Sequence, residues 1–238
     1  MKIVILAAGR GTRMGGLTQE TPKSMLKVNG KTLIQHSLEN LAACGVARSD
    51  IGIIVGFQKE KLMLHCGNDL TYIENTEYEK NNTMGSFWYS RNFVDGEDCL
   101  YMHADVLYDA SIIADCMKTE PGVSHLVVDT VNWTDESMKV EVVDGKLVEA
   151  TKELPEERTH GDWIGIAKIG SRDIDAVYNM IDHQLEQGEH GSYMAVKCFT
   201  PLAQKGHSFH IVPTNNRSWI EVDFEHELNK AQSVMCVA

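Results

Sequence analysis

With 238 residues, 43% of them hydrophobic and 24% charged, the chain has the make-up of an ordinary globular protein, with material for one large α/β domain. Its formal charge of −12 and pI near 5.2 argue against general affinity for nucleic acid or an anionic membrane, though not against a local anion site. No apolar run approaches transmembrane length, the apolar start at Ile3 is too short for a signal peptide, and six scattered cysteines (Cys44, Cys66, Cys99, Cys116, Cys198 and Cys236) form no C-x-x-C pair, so free and mostly buried thiols in a reducing, cytoplasmic setting are expected.

In chain order, Lys2–Leu6 is a short β-branched run without polar alternation, the pattern of a buried parallel strand. It empties into Ala7-Ala8-Gly9-Arg10-Gly11-Thr12-Arg13-Met14-Gly15-Gly16, and Thr21-Pro22-Lys23-Ser24-Met25-Leu26 follows. Small residues and glycines just past a strand let backbone amides approach an anion closely, and Arg10, Arg13 and Lys23 add the charge a polyphosphate needs. Two better-known glycine motifs are excluded. Gly9-x-Gly11-x-x-Met14 lacks the third glycine of a dinucleotide fingerprint, and no Gly-Lys-Ser/Thr follows to make a P-loop.

Thr32 then opens a helical pattern through Leu33, Ser37, Leu38, Leu41 and Ala42, stopped by Gly45. A second buried strand spans Ile51 to Val55, a short helix Glu60 to Cys66, and a third strand Leu70 to Ile73. Leu100-Tyr101-Met102 is the next strand, and Asp109 caps a helix through Met117. Strands alternating with helices predict right-handed crossovers and a mainly parallel sheet. From about Val123 the pattern turns β-rich: Leu126 to Val128, Lys139 to Val143, an Asp144-Gly145 hairpin turn, Lys146 to Thr151, and Trp163 to Ile169. Helical patterns at about Ile174 to Gln187 and Tyr193 to Gln204, strands at Ser208 to Val212 and Ser218 to Val222, and a helix from about Phe224 complete the chain. With no linker or repeat, residues 1–238 read as a single domain: a nucleotide-binding half over about 1–125 and an acceptor-binding, closing half over about 126–238.

Ligands of open α/β sheets bind beyond the carboxyl ends of strands, where Asp105 and Asp223 are expected. Hard carboxylates that converge on a triphosphate suit Mg²⁺. A lone aspartate after a strand also serves as a turn or helix-cap residue, and for Asp223 both readings stand at this level.

The N-terminal run Leu6-Ala7-Ala8-Gly9-x-Gly11-Thr12-Arg13-Met14, with Thr21-Pro22-Lys23-x-Met25, resembles the signature of the sugar-phosphate nucleotidyltransferase family. The resemblance implies a Rossmann-like, three-layer α/β fold of the nucleotide-diphospho-sugar transferase type, its sheet mainly parallel, with a small β-rich acceptor-binding insertion. It implies nucleotide contacts at Leu6, Ala7, Ala8, Gly9, Gly11 and Thr12, with Lys23 on the α-phosphate and Arg13 on the leaving phosphates. Tyr101-Met102-His103-Ala104-Asp105-Val106 and Trp219-Ile220-Glu221-Val222-Asp223 resemble the family's two metal-aspartate motifs, which makes Asp105 and Asp223 the expected Mg²⁺ ligands and, with Lys23 and Arg13, the catalytic set. Ala104 departs from the glycine common at its position.

The loop Asn75-Thr76-Glu77-Tyr78-Glu79-Lys80-Asn81-Asn82-Thr83-Met84-Gly85-Ser86 is similar to that of the cytidylyltransferase branch, which includes choline-phosphate, inositol-phosphate and phosphonate cytidylyltransferases. That implies CTP as donor, with Asn75, Asn81, Asn82 and Ser86 near the base. Glu136-x-Met138-Lys139-Val140, Thr151-Lys152 and Gly161-Asp162-Trp163-Ile164-Gly165-Ile166 resemble the same branch's acceptor segments, implicating Glu136, Lys139, Lys152 and Gly165. Trp133 and Trp163 flank this region, and aromatic faces near carboxylates bind alkylammonium groups, although tryptophans more often simply pack. His103, His160 and His190 are possible contacts with ordinary roles as the simpler reading. The expected activity is Mg²⁺-dependent transfer of CMP from CTP to a small phosphorylated alcohol or phosphonate such as phosphocholine or 2-aminoethylphosphonate. The alternatives are a sugar-1-phosphate nucleotidyltransferase using UTP or dTTP, and a nucleotide-binding regulatory module without catalysis. No pattern specifies an oligomeric state.

Overall fold

The computed structural model describes residues 1–234, so Cys236 lies outside the described residues. Thirteen strands and eight α-helices are described: β1 (Lys2–Leu6), β2 (Lys27–Val28), β3 (Lys31–Thr32), α1 (Leu33–Ala43), β4 (Ile51–Val55), α2 (Lys59–Cys66), β5 (Thr71–Glu74), α3 (Thr83–Trp88), α4 (Arg91–Val94), β6 (Cys99–His103), β7 (Val106–Tyr108), α5 (Ala110–Met117), β8 (Ser124–Asp129), β9 (Lys139–Val143), β10 (Lys146–Thr151), β11 (Gly161–Ile169), α6 (Ile174–Glu186), α7 (Thr200–Gln204), β12 (Phe209–Pro213), β13 (Trp219–Glu221) and α8 (Glu225–Val234).

Nine strands form one sheet in the order β5-β4-β1-β6-β11-β8-β12-β10-β9. The first four run parallel, as the alternation of strands and helices requires. From β11 onward the sheet is mixed: β11 is antiparallel to β6 and β8, while β12 returns parallel to β8. The β9–β10 hairpin turns on Asp144 (φ 50°) and Gly145 (φ 73°), the paired positive φ that a two-residue turn needs. The hairpin bonds into the main sheet. Because β9 also pairs with β11, the far end of the sheet rolls back on itself.

Alternation along the central strands builds the layers. Ile3 and Ile5 of β1 face α1, α2 and α5 through Ile34, Leu41, Leu62 and Ile112, all buried. Val4 faces the other way, toward Phe87 of α3 and Val177 and Tyr178 of α6. Both faces of the sheet are covered, which is why the strands read as continuous apolar runs. Thr32 caps α1 in a reciprocal box with Gln35, and Asp109 caps α5 by accepting from Ser111 N–H at 2.8 Å.

Two short pieces sit outside the main sheet. The first is the β2–β3 hairpin; the second is a ribbon in which β13 pairs antiparallel with β7. The ribbon, α8 and the N-terminal turn share a small core of Met14, Leu26, Leu107, Ile220, Val222 and Ala231. The helix expected over Tyr193 to Gln204 is wound in two ways, a wide turn at Ala195–Phe199 followed by α7. Pro201 has no N–H to give the fourth residue back, and Thr200 N–H reaches across five residues to Ala195 O. Cys66, Cys99, Cys116 and Cys198 are buried free thiols and Cys44 is half-buried. Among the described residues no helix is long and apolar enough to cross a membrane.

Candidate active site

The site lies beyond the carboxyl ends of β1 and β6. After Leu6 the chain makes a tight excursion in which Gly11 takes φ 67°, and a Cβ there would lie 2.8 Å from the Lys23 Cβ. Only glycine lets the turn and the lysine stem pass so closely. Gly11 O is held by Met14 N–H at 3.0 Å and by the Thr18 hydroxyl at 2.7 Å. Pro22 in extended conformation starts the second turn and swings Lys23 under the first.

The ribbon brings the distant aspartates together. Glu221 pairs with Val106 in register, and Val222 N–H donates to Asp105 O at 2.9 Å, so Asp105 and Asp223 emerge side by side from segments over a hundred residues apart. Lys23 lies between them. Its ammonium donates to Asp105 Oδ2 at 2.6 Å and also to Asp223 Oδ1, while Arg13 donates to Asp223 Oδ2. The Asp223 carboxylate is thus taken by two cations, and Glu227 receives the N–H groups of Asp223 and Phe224 at the start of α8 (2.6 and 2.9 Å). The helix-cap reading of the Asp223 side chain is set aside by these bonds.

Burial alone would lower the Lys23 pKa, but the charges of Asp105 and Asp223 outweigh it and hold the ammonium protonated well above the ordinary lysine range. For Asp105 burial works upward, yet Lys23 and His103 overcome it and the carboxyl stays below its ordinary value. Arg13, beside Asp223 and Tyr193, is likewise raised against the pull of burial. Asp105 Oδ1 is buried and has no hydrogen-bond partner among the described residues. Ligand atoms of His103, Asp105 and Glu221 lie within 4.8 Å of one another, a grouping compact enough for a cation. Asp223 is not in that grouping.

Two cavities meet here. The smaller, about 270 Å³, is lined by Leu6, Ala7, Ala8, Gly9, Gly11, Thr12, Lys23, Asn81, Asn82, Ser86 and Asp105, so nearly all the residues expected around the nucleotide share one wall. A Cβ at Gly9 would touch nothing, which leaves its backbone face open. Asn75 is the exception: it is fully buried, does not line the cavity, and bonds to Asn81 and Ser86 from behind. Arg10 stacks its guanidinium 5.3 Å from the Phe57 ring and lines neither cavity.

The larger cavity, about 1040 Å³, is lined by Trp133, Glu136, Lys152 and Gly165 among the expected acceptor residues, but not by Lys139. Lys152 Nζ sits 3.3 Å from Glu136 Oε2 and 5.8 Å from the Tyr193 ring centroid. Gly165 takes φ 78° at a break in the pairing of β11 with β8, and a Cβ there would lie 2.4 Å from His103 Nδ1. Trp163, 4% exposed, also lines the larger cavity, while most of its ring packs on Tyr101, His103 and Phe199.

Both cavities are lined by Arg13, His103, Tyr193, Glu221 and Asp223. Of these, Tyr193 was visible in the sequence only as the start of a helix, and Glu221 only as a member of the strand and motif that end at Asp223, with no role of its own. Its place two residues before Asp223 was the available signal, since alternation puts both on one side. Asp162 was also missed as a site residue. Burial pushes its carboxyl up to about 7, with Asp129 and Glu221 adding like charge and the Ser137 hydroxyl (2.6 Å) resisting. Asp129, also on this wall, accepts from Trp219 Nε1 at 2.8 Å.

Comparison with known proteins places this arrangement. Residues 3–168 match the model of the MobA-like NTP transferase domain. CTP:phosphoglutamine cytidylyltransferase of Campylobacter jejuni is 23% identical over 251 residues, covering 96% of this chain and 98% of that protein. Among solved structures, the inositol-1-phosphate CTP transferase from T. maritima superposes with a TM-score of 0.82 at 20% identity (98% of this chain, 94% of the other). A glucose-1-phosphate thymidylyltransferase described as putative, from Bacillus anthracis, reaches 0.83 at 16% (100% and 96%). At these identities the two structures share the fold with this chain, and it spans pyrimidine nucleotides of more than one kind.

Proposed function

Since the chain belongs to the MobA-like NTP transferase family, we propose that it transfers CMP from CTP to a small phosphorylated alcohol or phosphonate, with release of pyrophosphate. The observation that carries this reading is the junction of the two cavities. Five residues border both, Asp223 among them, and Lys23 and Asp105 sit beside them, where a nucleotide's α-phosphate and an acceptor's oxyanion have to meet.

The chemistry asks little covalently of the protein. An acceptor phosphate, with a second pKa near 6, is already largely ionised at neutral pH. Its oxygen attacks the α-phosphorus in line; the new P–O bond forms as the bond to the bridging oxygen of pyrophosphate breaks and takes its electron pair with it. Neither a general base nor a protein nucleophile is needed, so positioning and charge neutralisation do the work. In this reading Lys23 turns from the aspartates to the α-phosphate, Arg13 faces the leaving phosphates, and the open backbone at Gly9 admits the triphosphate.

A divalent cation fits the donor set. Asp105 Oδ1 is buried without a partner, and three carboxylates here face two side-chain cations. Asp105 and Asp223 would hold Mg²⁺ once Lys23 leaves them, with Glu221 alongside, and the ion would withdraw charge from the phosphate oxygens.

The larger cavity supports an acceptor with a cationic end. Lys152, beside Glu136, is placed for a phosphate or phosphonate, while Glu221 with Trp133 suits an ammonium group such as that of phosphocholine or 2-aminoethylphosphonate. Pyrophosphate release measured over CTP, UTP and dTTP against phosphocholine, 2-aminoethylphosphonate, phosphoethanolamine, inositol phosphate and glucose 1-phosphate tests the reading. Turnover with CTP and a phosphoryl or phosphonyl zwitterion is expected. Preference for UTP or dTTP with a sugar phosphate would replace it.

A further inference from the structure

We propose that Asp129 is a positioning residue that joins two walls of the larger cavity, setting the loop that carries Trp133 against the strand β13 that carries Glu221; the inference rests on the acceptor reading above. Asp129 ends β8, is 3% exposed, and accepts four hydrogen bonds. Asp129 Oδ1 takes the backbone N–H groups of Val131 (3.0 Å) and Asn132 (3.3 Å). Asp129 Oδ2 takes Asn132 Nδ2 (3.3 Å) and Trp219 Nε1 (2.8 Å). These donors outweigh burial and hold the carboxyl below its ordinary value, so it stays ionised and accepts at both oxygens.

The two oxygens do different work. The bonds to Oδ1 are those of a local aspartate turn, which shapes the start of residues 130–138 and needs nothing from elsewhere. Trp219 comes from 90 residues along the chain, and a local turn does not call for it. The far end of the loop is fixed to β11: the Ser137 hydroxyl donates to Asp162 Oδ2 at 2.6 Å, and Trp163 N–H donates to Met138 O at 2.9 Å. β13 is held on its other side by β7, with Asp109 N–H to Ser218 O and Val222 N–H to Asp105 O, both 2.9 Å, at the ends of the ladder. Among the described residues, the Trp219–Asp129 bond is the one hydrogen bond between residues 129–138 and residues 218–223.

Trp133, Trp219 and Glu221 all line the larger cavity, so the two groups proposed for the acceptor's ammonium, Trp133 and Glu221, stand on separately held walls. Their spacing decides whether one cation meets both an aromatic face and a carboxylate. An N–H bonded to a buried, ionised carboxylate is strong and directional enough to fix that spacing. Asp129 thus acts on the acceptor through Trp219 and the loop, not by touching it.

Two substitutions cut the bond from opposite sides. Trp219→Phe removes the N–H and keeps an aromatic ring. In Asp129→Asn the amide oxygen stays with the two backbone N–H groups, which can only donate, so its NH₂ replaces Oδ2 and opposes Trp219 Nε1–H. Deuterium exchange of the full chain without ligand is expected to rise about tenfold over residues 130–138 in Trp219→Phe, and over 217–222 in Asp129→Asn. Turnover with CTP is then followed for whichever of phosphocholine, 2-aminoethylphosphonate and phosphoethanolamine the unaltered protein uses. The acceptor KM is expected to rise about tenfold or more in both variants, while the CTP dissociation constant, with Mg²⁺ and no acceptor, stays within about threefold. The double variant is expected to be no worse than Trp219→Phe alone, since the opposing N–H is gone. Unchanged exchange over 130–138 in Trp219→Phe overturns the joint, and raised exchange with an unmoved acceptor KM overturns its positioning role. A CTP constant that weakens as much as the acceptor KM marks a general defect and also overturns it. If the unaltered protein uses none of the three acceptors, the acceptor reading falls and takes the inference with it.

Discussion

Lys23 donates to two aspartates at once, and its side chain is only 11% exposed. A cation so placed is held for a purpose that an exposed lysine does not serve, because each carboxylate it releases needs another positive charge. Lys23→Ala and Asp105→Ala are each expected to slow pyrophosphate release by about a hundredfold or more, with circular dichroism confirming the fold. Turnover within about tenfold of the unaltered enzyme would remove that residue from the transition state. Asp162 gives a prediction in pH. Its folded value of about 7 lies above the ordinary carboxylate range, so between about pH 4 and 7 the folded protein keeps a proton that the unfolded chain has lost. Stability from this group therefore declines as pH rises through that window and is level above it. Asp162→Asn removes the penalty, so its unfolding free energy from denaturant titration is expected to gain on the unaltered protein at pH 8 relative to pH 5, by an amount on the order of 2 kcal/mol. Equal differences at both pH values would contradict the assignment.

At the level of elements, Gly165 shows how backbone and site are tied. Its positive φ falls at the break between the two runs in which β11 pairs with β8, with β9 bonded along the first run and β6 along the second, and its missing side chain seats His103. Gly165→Ala is expected to lower stability by about 1–3 kcal/mol in denaturant titration and to disturb the ring of His103. An unchanged midpoint would mean the bulge relaxes at no cost. The elements legible in the sequence were those specified locally: the Thr32 box on α1, the Asp109 cap on α5, the Asp144-Gly145 turn, and the β-branched runs of β1 and β4. The β7–β13 ribbon was not legible as a pair. Three residues bonded to three others far along the chain leave no periodicity, and only tertiary packing on Leu107, Ile220 and Val222 specifies them. The wide turn at Ala195–Phe199 was hidden for a similar reason, since apolar spacing does not separate it from an ordinary helix.

Across the whole molecule, the sheet's parallel half carries the smaller cavity and its rolled, mixed half borders the larger one, with the ribbon and α8 closing between them. The glycine-rich turn and the two aspartates could be read from the chain because they follow strands and carry a recognisable spacing. The acidic wall of Asp129, Asp162 and Glu221 could not, because it gathers side chains from three strand ends that meet only when the sheet closes. The central claim is that one nucleotide and one acceptor meet at the junction of these cavities. It is tested most directly by the structure of the chain with CTP and Mg²⁺ bound. The account predicts the triphosphate along Gly9, Gly11 and Lys23, the base against Asn81 and Ser86, Lys23 drawn away from Asp105, and the larger cavity left for the acceptor. A nucleotide seated away from Lys23 and Asp105 would contradict it.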